Sequence, residues 1–228
     1  MTTTLTIRAV EAITHDTQRV TFDKPDGFRH VPGQAAHIAL DKDGWRDVWK
    51  SFTMTSLPED EALEFVIKSY PEEAEGHDGV SQRIARLQPG DTMVLKDVWG
   101  AIDDEGDGVF IAGGAGVTPF IAILREKLEK TGSLKGNTLI FSNKAERDIL
   151  LRDEFDKMPG LQTRYIVTDE PDSPLYRDRI DEALLKKYVE PSRDTCYVCG
   201  PPPMLDDISK QLKQIGVPEQ RIVMEQFD

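Results

Sequence analysis

The sequence is poor in cysteine, short of basic residues and without long apolar stretches, and each shortage argues against a class of function. Its two cysteines are too few for an iron–sulfur cluster, which takes about four. The 28 basic against 41 acidic residues give a net charge of −13, whereas non-specific nucleic-acid binding needs a basic face. No run approaches the roughly 18 apolar residues of a membrane helix, so we expect no membrane span.

The two cysteines, Cys196 and Cys199, have the Cys-x-x-Cys spacing of a redox pair or of half a zinc site. The sequence has no second cysteine pair, its four histidines lie far away along the chain, and in a strand the two sulfurs would point to opposite faces. We therefore expect no metal and no dithiol centre. The N-terminal residues carry neither a basic segment nor an apolar core, so we expect no signal peptide and a cytoplasmic location.

The pattern of secondary structure changes after residue 102. Residues 5–100 contain about six short candidate strands separated by Gly and Pro turns, with one short helix at 79–87, which favours a small antiparallel barrel. After the charged, glycine-rich residues 103–108, candidate strands alternate with helices, which favours a parallel sheet of about five strands with helices on both faces. We therefore expect a six-stranded antiparallel β-barrel domain over 1–102 and an α/β domain over 103–228. The helices of the second domain are predicted at 118–130, 147–157, 179–188 and 203–215.

One stretch of the second domain has the pattern of a nucleotide-binding turn. The apolar run 109–112 enters Gly113-Gly114-Ala115-Gly116, and a Thr-Pro pair then opens a helical pattern. Glycines let a backbone approach a ligand, and a helix N-terminus attracts phosphate. A glycine turn without a ligand has the same pattern, so this stretch alone does not decide whether a nucleotide binds there. In parallel sheets ligands bind at the carboxyl ends of strands, where this turn and the turn after Cys199 both fall.

A second candidate binding element is the strand at 48–55. Strict alternation would put Lys50, Phe52 and Met54 on one face and the hydroxyl residues between them on the other. A cation, an aromatic ring and hydroxyl groups are what a flavin nucleotide would use for its phosphate, its ring and its N5 atom. An ordinary amphipathic strand is the alternative.

The short helix at 79–87 offers a second place for an anion. It opens with Gly79-Val80-Ser81, whose N–H groups could hold a pyrophosphate. A plain N-cap by Ser81 is the alternative.

Taken in order, these motifs resemble the ferredoxin–NADP reductase superfamily, which includes cytochrome b5 reductase and the flavodoxin reductases. Residues 32–34 are similar to its Pro-Gly-Gln turn, residues 50–56 to its Arg-x-Tyr-Ser-x-x-Ser flavin motif, and residues 79–81 to its Gly-x-x-Ser helix start. Residues 113–119 and 199–204 resemble its Gly-x-Gly-x-x-Pro and Cys-Gly-Pro-x-x-Met motifs at the nicotinamide nucleotide. The resemblance covers nearly the whole chain.

The resemblance implies a flavin-dependent NAD(P)H oxidoreductase. Hydride would pass from NADH or NADPH to N5 of FAD, with FMN the less favoured flavin, and electrons would then pass to a separate carrier such as a flavodoxin, ferredoxin, cytochrome or oxygenase component. The alternative is a flavin-binding electron-transfer or regulatory subunit of a larger enzyme complex. We expect a monomer or weak dimer.

The resemblance also implies the site residues. It assigns catalytic roles to Thr53, Cys199 and Glu225. Flavin binding is assigned to Lys50, Ser51, Phe52, Thr53, Val66, Ile67, Lys68, Gly79, Val80, Ser81 and Phe227. Nicotinamide-nucleotide binding is assigned to Gly113, Gly114, Gly116, Val117, Thr118, Pro119, Ser142, Asn143, Lys144, Asp169, Cys199, Gly200, Pro201 and Met204. Two positions depart from the family: Lys50 stands where it has arginine, losing the bidentate fork, and Phe52 stands where it often has tyrosine.

The choice between NADH and NADPH stays open, with NADH favoured. Residues 141–151 resemble a run of the b5-reductase branch, which prefers NADH, and Asp169 stands where that branch has an acidic residue. Lys144 and Arg147 could instead hold a 2′-phosphate, as could the arginines that follow Asp169.

A carrier of acidic character would need a local basic face despite the overall negative charge. Lys50, Lys68, Arg83 and Arg86 are predicted to supply it near the flavin.

Overall fold

The computed structural model describes residues 2–70, 79–100 and 102–225. The N-terminal half contains six strands: β1 (Thr3–Ala12), β2 (Thr17–Asp23), β3 (Ala35–Leu40), β4 (Lys50–Thr53), β5 (Ala62–Lys68) and β6 (Thr92–Trp99). All neighbouring pairs are antiparallel, in the order β4-β3-β6-β1-β2-β5. An isolated bridge from Met54 to Phe65 joins the two edge strands. The predicted six-stranded antiparallel barrel is therefore confirmed.

Alternating apolar residues fill this barrel. On β2, Val20 and Phe22 are fully buried, while Thr21 between them is only partly so. Phe22 meets Phe65 of β5 edge to face, with ring centroids 5.8 Å apart. Two-residue periodicity of this kind puts one side of each strand in the core.

One helix, α1 (Val80–Ile84), packs on the barrel and is shorter than the predicted 79–87. Val80 and Ile84, one turn apart, are its buried residues. Gly79 begins it with a φ of 78°, a left-handed conformation that suits glycine. The predicted strand 48–55 is also shorter, because only Lys50–Thr53 pairs as β4.

The second half contains a five-stranded parallel sheet, which confirms the predicted α/β architecture. Its strands are β7 (Gly108–Gly113), β8 (Thr138–Asn143), β9 (Gln162–Val167), β10 (Thr195–Cys199) and β11 (Ile222–Glu225), in the order β11-β10-β7-β8-β9. The order reverses at β7, which has β8 on one side and β10 on the other. Ligands of such sheets bind beyond the carboxyl ends of the strands at this reversal.

Four helices cover the two faces of this sheet: α2 (Thr118–Thr131), α3 (Arg152–Lys157), α4 (Glu182–Tyr188) and α5 (Pro202–Gln214). Residues of α2 and α3 share one apolar cluster with Phe110, Phe141 and Tyr197. Residues of α4 and α5 share another with Ile111 and Val198. Each strand therefore alternates its side chains between two buried layers.

Two helices begin later than predicted, for local reasons. Before α3 the chain makes a 3-10 turn at Glu146–Asp148, and Leu151 has a φ of 52°, so the regular helix starts at Arg152 and not at 147. Helix α4 starts at Glu182 and not at 179, because the Asp181 carboxylate accepts the N–H of Leu184 as an N-cap.

The two halves meet in tight contact. Gly33, in the Pro-Gly-Gln turn, has a φ of +97°, and a Cβ there would lie 2.1 Å from the carbonyl oxygen of Ile102. Val66 of the barrel is buried in the same cluster as Phe120 and Ile123 of α2. This contact gives the halves a defined relative position; the division between residues 102 and 103 stays a prediction.

Within the described ranges, no helix has both the length and the apolar character needed to cross a bilayer.

Candidate functional site

A cleft of about 490 Å³ opens between the barrel and the carboxyl ends of the parallel strands. Its walls come from both halves of the chain. The barrel contributes Lys50, Ser51, Phe52, Thr53, Val66, Lys68, Tyr70, Val80 and Ser81. The α/β half contributes Gly113, Ala115, Gly116, Thr118, Gly200, Pro201 and Pro202. The structure thus brings half of the sequence-predicted site residues to one place.

Strand β4 presents four consecutive residues, Lys50–Thr53, to the cleft. Phe52 and Met54 both pack against the barrel core, as alternation predicts for residues two apart, and the separation of Lys50 from the hydroxyls stays a prediction. Strand β4 stands at an edge of the sheet, where it pairs with β3. Met54, predicted to share a face with Lys50, is fully buried in the barrel core.

Strand β5 and the residues just after it contribute alternate positions to the same wall. Val66, Lys68 and Tyr70 line the cleft, whereas Ile67 packs into the barrel core. The Lys68 ammonium lies 3.0 Å from the Asp16 carboxylate, which balances part of its charge. Sequence reasoning missed Tyr70, although the two-residue spacing from Val66 and Lys68 was a usable signal. Burial raises the pKa of the Tyr70 phenol, so it remains a neutral hydroxyl.

The Ser81 hydroxyl links β5 to helix α1. It accepts a hydrogen bond from the Tyr70 N–H at 3.0 Å, while Gly79 occupies the N-cap position. A plain N-cap by Ser81 is therefore wrong. Val80 and Ser81 line the cleft; Gly79 does not belong to its lining, and its binding role stays a prediction.

The glycines of the 113–116 turn are required by packing inside the protein. A Cβ on Gly113 would lie 2.5 Å from the Met204 sulfur, and one on Gly116 would lie 2.4 Å from the Cys199 carbonyl oxygen. The turns that follow β7 and β10 therefore touch directly, backbone against backbone. Gly114 differs, with a φ of +52° and open space around its Cβ position.

A 3-10 turn at Gly114–Val117 leads into α2, and the Thr118 hydroxyl donates to the Ala115 carbonyl at 3.0 Å. Thr118 lines the cleft, whereas Val117 and Pro119 are buried behind it. The turn thus offers the cleft backbone and one hydroxyl.

Cys199 is fully buried behind the turn and is not part of the cleft lining, which Gly200 and Pro201 form beside it. Its predicted place at the nicotinamide stays a prediction. Cys196 packs in the layer of α4 and α5 and Cys199 in the layer of α2, so the expectation that the two sulfurs face opposite sides is confirmed. Burial raises the pKa of the Cys196 thiol to about 12.

A second group of predicted residues lies at the ends of β8 and β9, outside the cleft lining. The Asn143 carbonyl accepts the Thr168 N–H at 3.0 Å, and the Lys144 carbonyl accepts the Asp169 N–H at 2.9 Å, which holds the two strand ends together. Asn143 is 6% exposed. Its Nδ2 has no hydrogen-bond partner within the described part of the chain, so a buried donor is available there for a bound group.

The C-terminal predictions are only partly covered by the structure. Glu225 ends β11 opposite Cys199 in the strand register, and nothing is described of its side chain. Phe227 lies outside the described residues.

The chemistry of these groups fits a flavin and a nicotinamide nucleotide. Lys50 and Lys68 bring positive charge for phosphate, Ser51 and Thr53 bring hydroxyls, and Val66 brings an apolar surface for a ring. The Asn143 amide, whose Nδ2 has no partner among the described residues, adds a donor at the end of β8, outside the cleft lining.

Comparison with known proteins gives the same domain content. Residues 4–103 match the family model of the oxidoreductase FAD-binding domain, and residues 110–210 match that of the oxidoreductase NAD-binding domain. Together they cover most of the chain.

The relatives are distant in sequence but alike over the whole chain. NADH-cytochrome b5 reductase 2 of Mycosarcoma maydis is 27% identical over 226 residues, covering 90% of this chain and 63% of that protein. A subunit of the Na⁺-translocating NADH-quinone reductase of Yersinia pestis is 24% identical, covering 96% of this chain and 58% of that protein. The chain thus spans about three fifths of the length of these relatives.

Among solved structures, a ferredoxin NADP⁺ reductase from Neisseria gonorrhoeae with bound FAD and NADP superposes with a TM-score of 0.83. It is 21% identical, and the match covers 98% of each chain. At this identity the likeness establishes the fold.

Proposed function

Because the chain belongs to the ferredoxin–NADP reductase superfamily, with an FAD-binding domain followed by an NAD-binding domain, we propose that it oxidises NADH and passes the electrons through FAD to a separate carrier protein. One observation supports this most directly: the cleft is walled by both domains. Thr53 and Val66 face it from the barrel, and Gly116 and Thr118 face it from the α/β half. Two cofactors that exchange a hydride need such a shared space.

FAD, when bound, supplies the redox chemistry by accepting a hydride and releasing electrons to an acceptor. The protein binds the cofactors, orients them and shields them from water. We assign the Thr53 hydroxyl, on a residue 4% exposed, a hydrogen bond toward the flavin N5. Lys50 and Lys68 stabilise phosphate charge. Phe52 and Val66 exclude water from the flavin side of the cleft.

The α/β half holds the nicotinamide nucleotide. Backbone N–H groups of the turn at Gly114–Val117 would bind the nucleotide's pyrophosphate. Gly200 and Pro201 form the adjoining wall, and Cys199 supports them from behind through its contact with Gly116.

We favour NADH over NADPH. The Arg177 guanidinium donates to both carboxylate oxygens of Asp181, at 2.6 and 2.7 Å, which engages a cation that could otherwise hold a 2′-phosphate. Asp169 is exposed at the end of β9, and Glu170 beside it accepts the Glu146 N–H at 2.9 Å. Carboxylates there suit a ribose diol and repel a phosphate. Both relatives named above are called NADH reductases.

We propose an acidic redox carrier as the electron acceptor, and a cytoplasmic location. Arg83 lies over the Trp45 ring at 4.2 Å, Arg86 is exposed on the turn after α1, and Lys50 borders the cleft. Lys68 is paired with Asp16 and contributes less to this basic face than the sequence indicated. A local positive face on a chain of net charge −13 would orient an acidic partner toward the flavin.

The test is anaerobic rapid mixing of the FAD-loaded protein with NADH and, separately, with NADPH. We expect the oxidised-flavin absorbance to bleach, faster with NADH. Bleaching by neither nucleotide would refute the reductase proposal and favour the flavin-binding subunit of a larger complex. Faster bleaching by NADPH would refute the nucleotide choice alone.

A further inference from the structure

Four charged side chains form a largely buried cluster where the barrel meets the α/β half. Arg19 of β2 and Glu64 of β5 belong to the barrel, and Arg125 of α2 and Glu154 of α3 belong to the other half. We call this group the seam cluster. Its two arginines and two glutamates balance in charge, and Arg125 and Glu64 have 21% and 19% of their side chains exposed.

Arg125 makes four hydrogen bonds, two to each half of the molecule. Its Nη1 donates to the Thr55 carbonyl at 2.7 Å and to the Glu64 carboxylate at 2.8 Å. Its Nε and Nη2 donate to the two carboxylate oxygens of Glu154 at 2.6 and 2.9 Å. A planar guanidinium holds several acceptors at fixed angles, which a lysine ammonium does not.

Glu64 is held equally firmly on the barrel side. It accepts the Thr55 hydroxyl at 2.8 Å, its backbone carbonyl accepts the Thr55 N–H at 2.8 Å, and Arg19 lies 3.2 Å from its other carboxylate oxygen. Burial acts to raise the pKa of Glu64, but Arg125 beside it brings that pKa below its usual value. The Glu64 carboxylate therefore keeps its negative charge in the cluster.

Each barrel contact of Arg125 is adjacent to the cleft. Thr55 follows Thr53 by two residues, and Glu64 precedes Val66 by two on the same strand. Thr118, at the start of the helix that carries Arg125, lies about two turns away along α2. Thr53, Val66 and Thr118 all line the cleft, so the guanidinium joins the flavin wall to the nucleotide wall.

We propose that Arg125 is a positioning residue that fixes the separation of the flavin wall and the nucleotide wall of the cleft. The inference rests on the proposed function, because that separation matters most for a hydride transfer between two bound cofactors. Hydride transfer requires reacting atoms about 3–3.5 Å apart, and a displacement of about 1 Å costs up to about 100-fold in rate. A clamp that spans the seam has direct control of that distance.

The test compares Arg125→Lys with the wild-type protein. The substitution keeps a positive charge but loses the planar guanidinium that holds acceptors on both sides of the seam. We therefore expect the rate constant of FAD reduction by NADH to fall about 10- to 100-fold. The FAD content and the NADH dissociation constant stay at wild-type values, since Arg125 does not line the cleft. The long-wavelength charge-transfer absorbance of the reduced enzyme with NAD⁺ becomes weaker, which a loss of stability alone does not cause.

A second readout needs neither cofactor nor turnover. The Thr55 amide donates to the Glu64 carbonyl, and we expect Arg125→Lys to speed hydrogen exchange at that amide in the whole chain as purified. If the wild-type flavin were not reduced by NADH, the proposed function would fail, while this exchange measurement would still decide whether Arg125 holds the cleft wall.

Asn137→Ala serves as the stability-matched control. Asn137 is 3% exposed and bonds Asp107, Gly108 and Leu134 near the opposite, amino-terminal edge of the parallel sheet. It should lower the melting temperature without changing the reduction rate, the charge-transfer band or exchange at Thr55.

If Arg125→Lys does not fold, Glu64→Gln supplies a second comparison, because it leaves Arg125 in place and replaces an ion pair across the seam by a weaker hydrogen bond to an uncharged amide. Wild-type reduction rate, charge-transfer absorbance and Thr55 exchange in a folded Arg125→Lys or Glu64→Gln protein would overturn the proposal and leave the cluster a purely structural one.

Discussion

Gly116 gives the sharpest test of how the nucleotide wall is built. Its φ is not in the left-handed region, so alanine suits the backbone, and the only obstacle is space. A Cβ would lie 2.4 Å from the Cys199 carbonyl oxygen and 2.7 Å from the Gly200 Cα. Both are backbone atoms and cannot rotate away, so Gly116→Ala must push the two turns apart.

The size of the effect follows from that contact. Ordinary contact begins at 3.4 Å, so the turns must separate by about 1 Å, a displacement that costs up to about 100-fold in rate at a reacting centre. Overpacking of this kind destabilises by about 1–3 kcal/mol. For a chain of this size each kcal/mol lowers the melting temperature by about 2–4 °C.

Gly132→Ala is the matched control. Gly132 is the C-cap of α2 with a φ of +72°, and among the described residues beyond its chain neighbours nothing lies within 4 Å of its Cβ position, so alanine there costs about 1–2 kcal/mol in backbone strain without touching the cleft. Rapid mixing with NADH should show slow flavin reduction in Gly116→Ala and wild-type reduction in Gly132→Ala, with equal FAD content in both. Wild-type reduction kinetics and NADH affinity in Gly116→Ala would show that the contact between the turns does not set the nucleotide wall.

Three further predictions concern charge. The neighbours of Glu64 lower its pKa, so its carboxylate stabilises the fold at pH values above the ordinary pKa of 4.5. This contribution is lost as the pH falls through the lowered pKa of the folded protein. Glu64→Gln should therefore flatten the acid side of a plot of melting temperature against pH. Arg86→Glu should lower the rate of carrier reduction at low salt and leave flavin reduction by NADH unchanged, with Arg8→Glu on β1 as control. Asp169→Ala should lower kcat/KM for NADH and raise the ratio of NADPH to NADH activity in steady-state assays.

Each of these has a contrary result. An acid profile of Glu64→Gln parallel to that of the wild type would mean that the Glu64 carboxylate adds nothing to stability above pH 4.5. Equal carrier rates in Arg86→Glu and the wild type at low salt would remove Arg86 from the docking face. An unchanged nucleotide ratio in Asp169→Ala would place the discrimination elsewhere.

The architecture was predictable because it follows from the local spacing of apolar residues along the chain. The run from Val109 to Ala112 alternates between two buried layers, and α2 begins at the predicted Thr118. Gly113 and Gly116 were predictable as turn residues, but the reason why glycine is needed at these two positions was not. Because glycine has no side chain, the turn after β10 can pack directly against these two residues, and only the structure shows this contact.

The seam cluster could not be predicted, since its partners lie far apart in sequence. Arg125 meets Thr55 and Glu64 at separations of 70 and 61 residues, and no periodic pattern relates them. Whether a strand stands at an edge, as β4 does, also depends on long-range pairing, which the local pattern of residues 48–55 does not contain.

The barrel closes where its two edge strands meet, through the Met54–Phe65 bridge and the Thr55–Glu64 hydrogen bond, directly beside the cleft. Edge strands joined by so few bonds are the place where a barrel opens first. A molecule bound against Lys50–Thr53 therefore stabilises barrel closure by mass action, by about 2.7 kcal/mol at a concentration 100 times its dissociation constant. Cofactor binding and the integrity of the N-terminal domain are thus coupled. A variant with a less stable barrel should be stabilised by added cofactor, and a variant that binds cofactor weakly should regain binding when the barrel is stabilised.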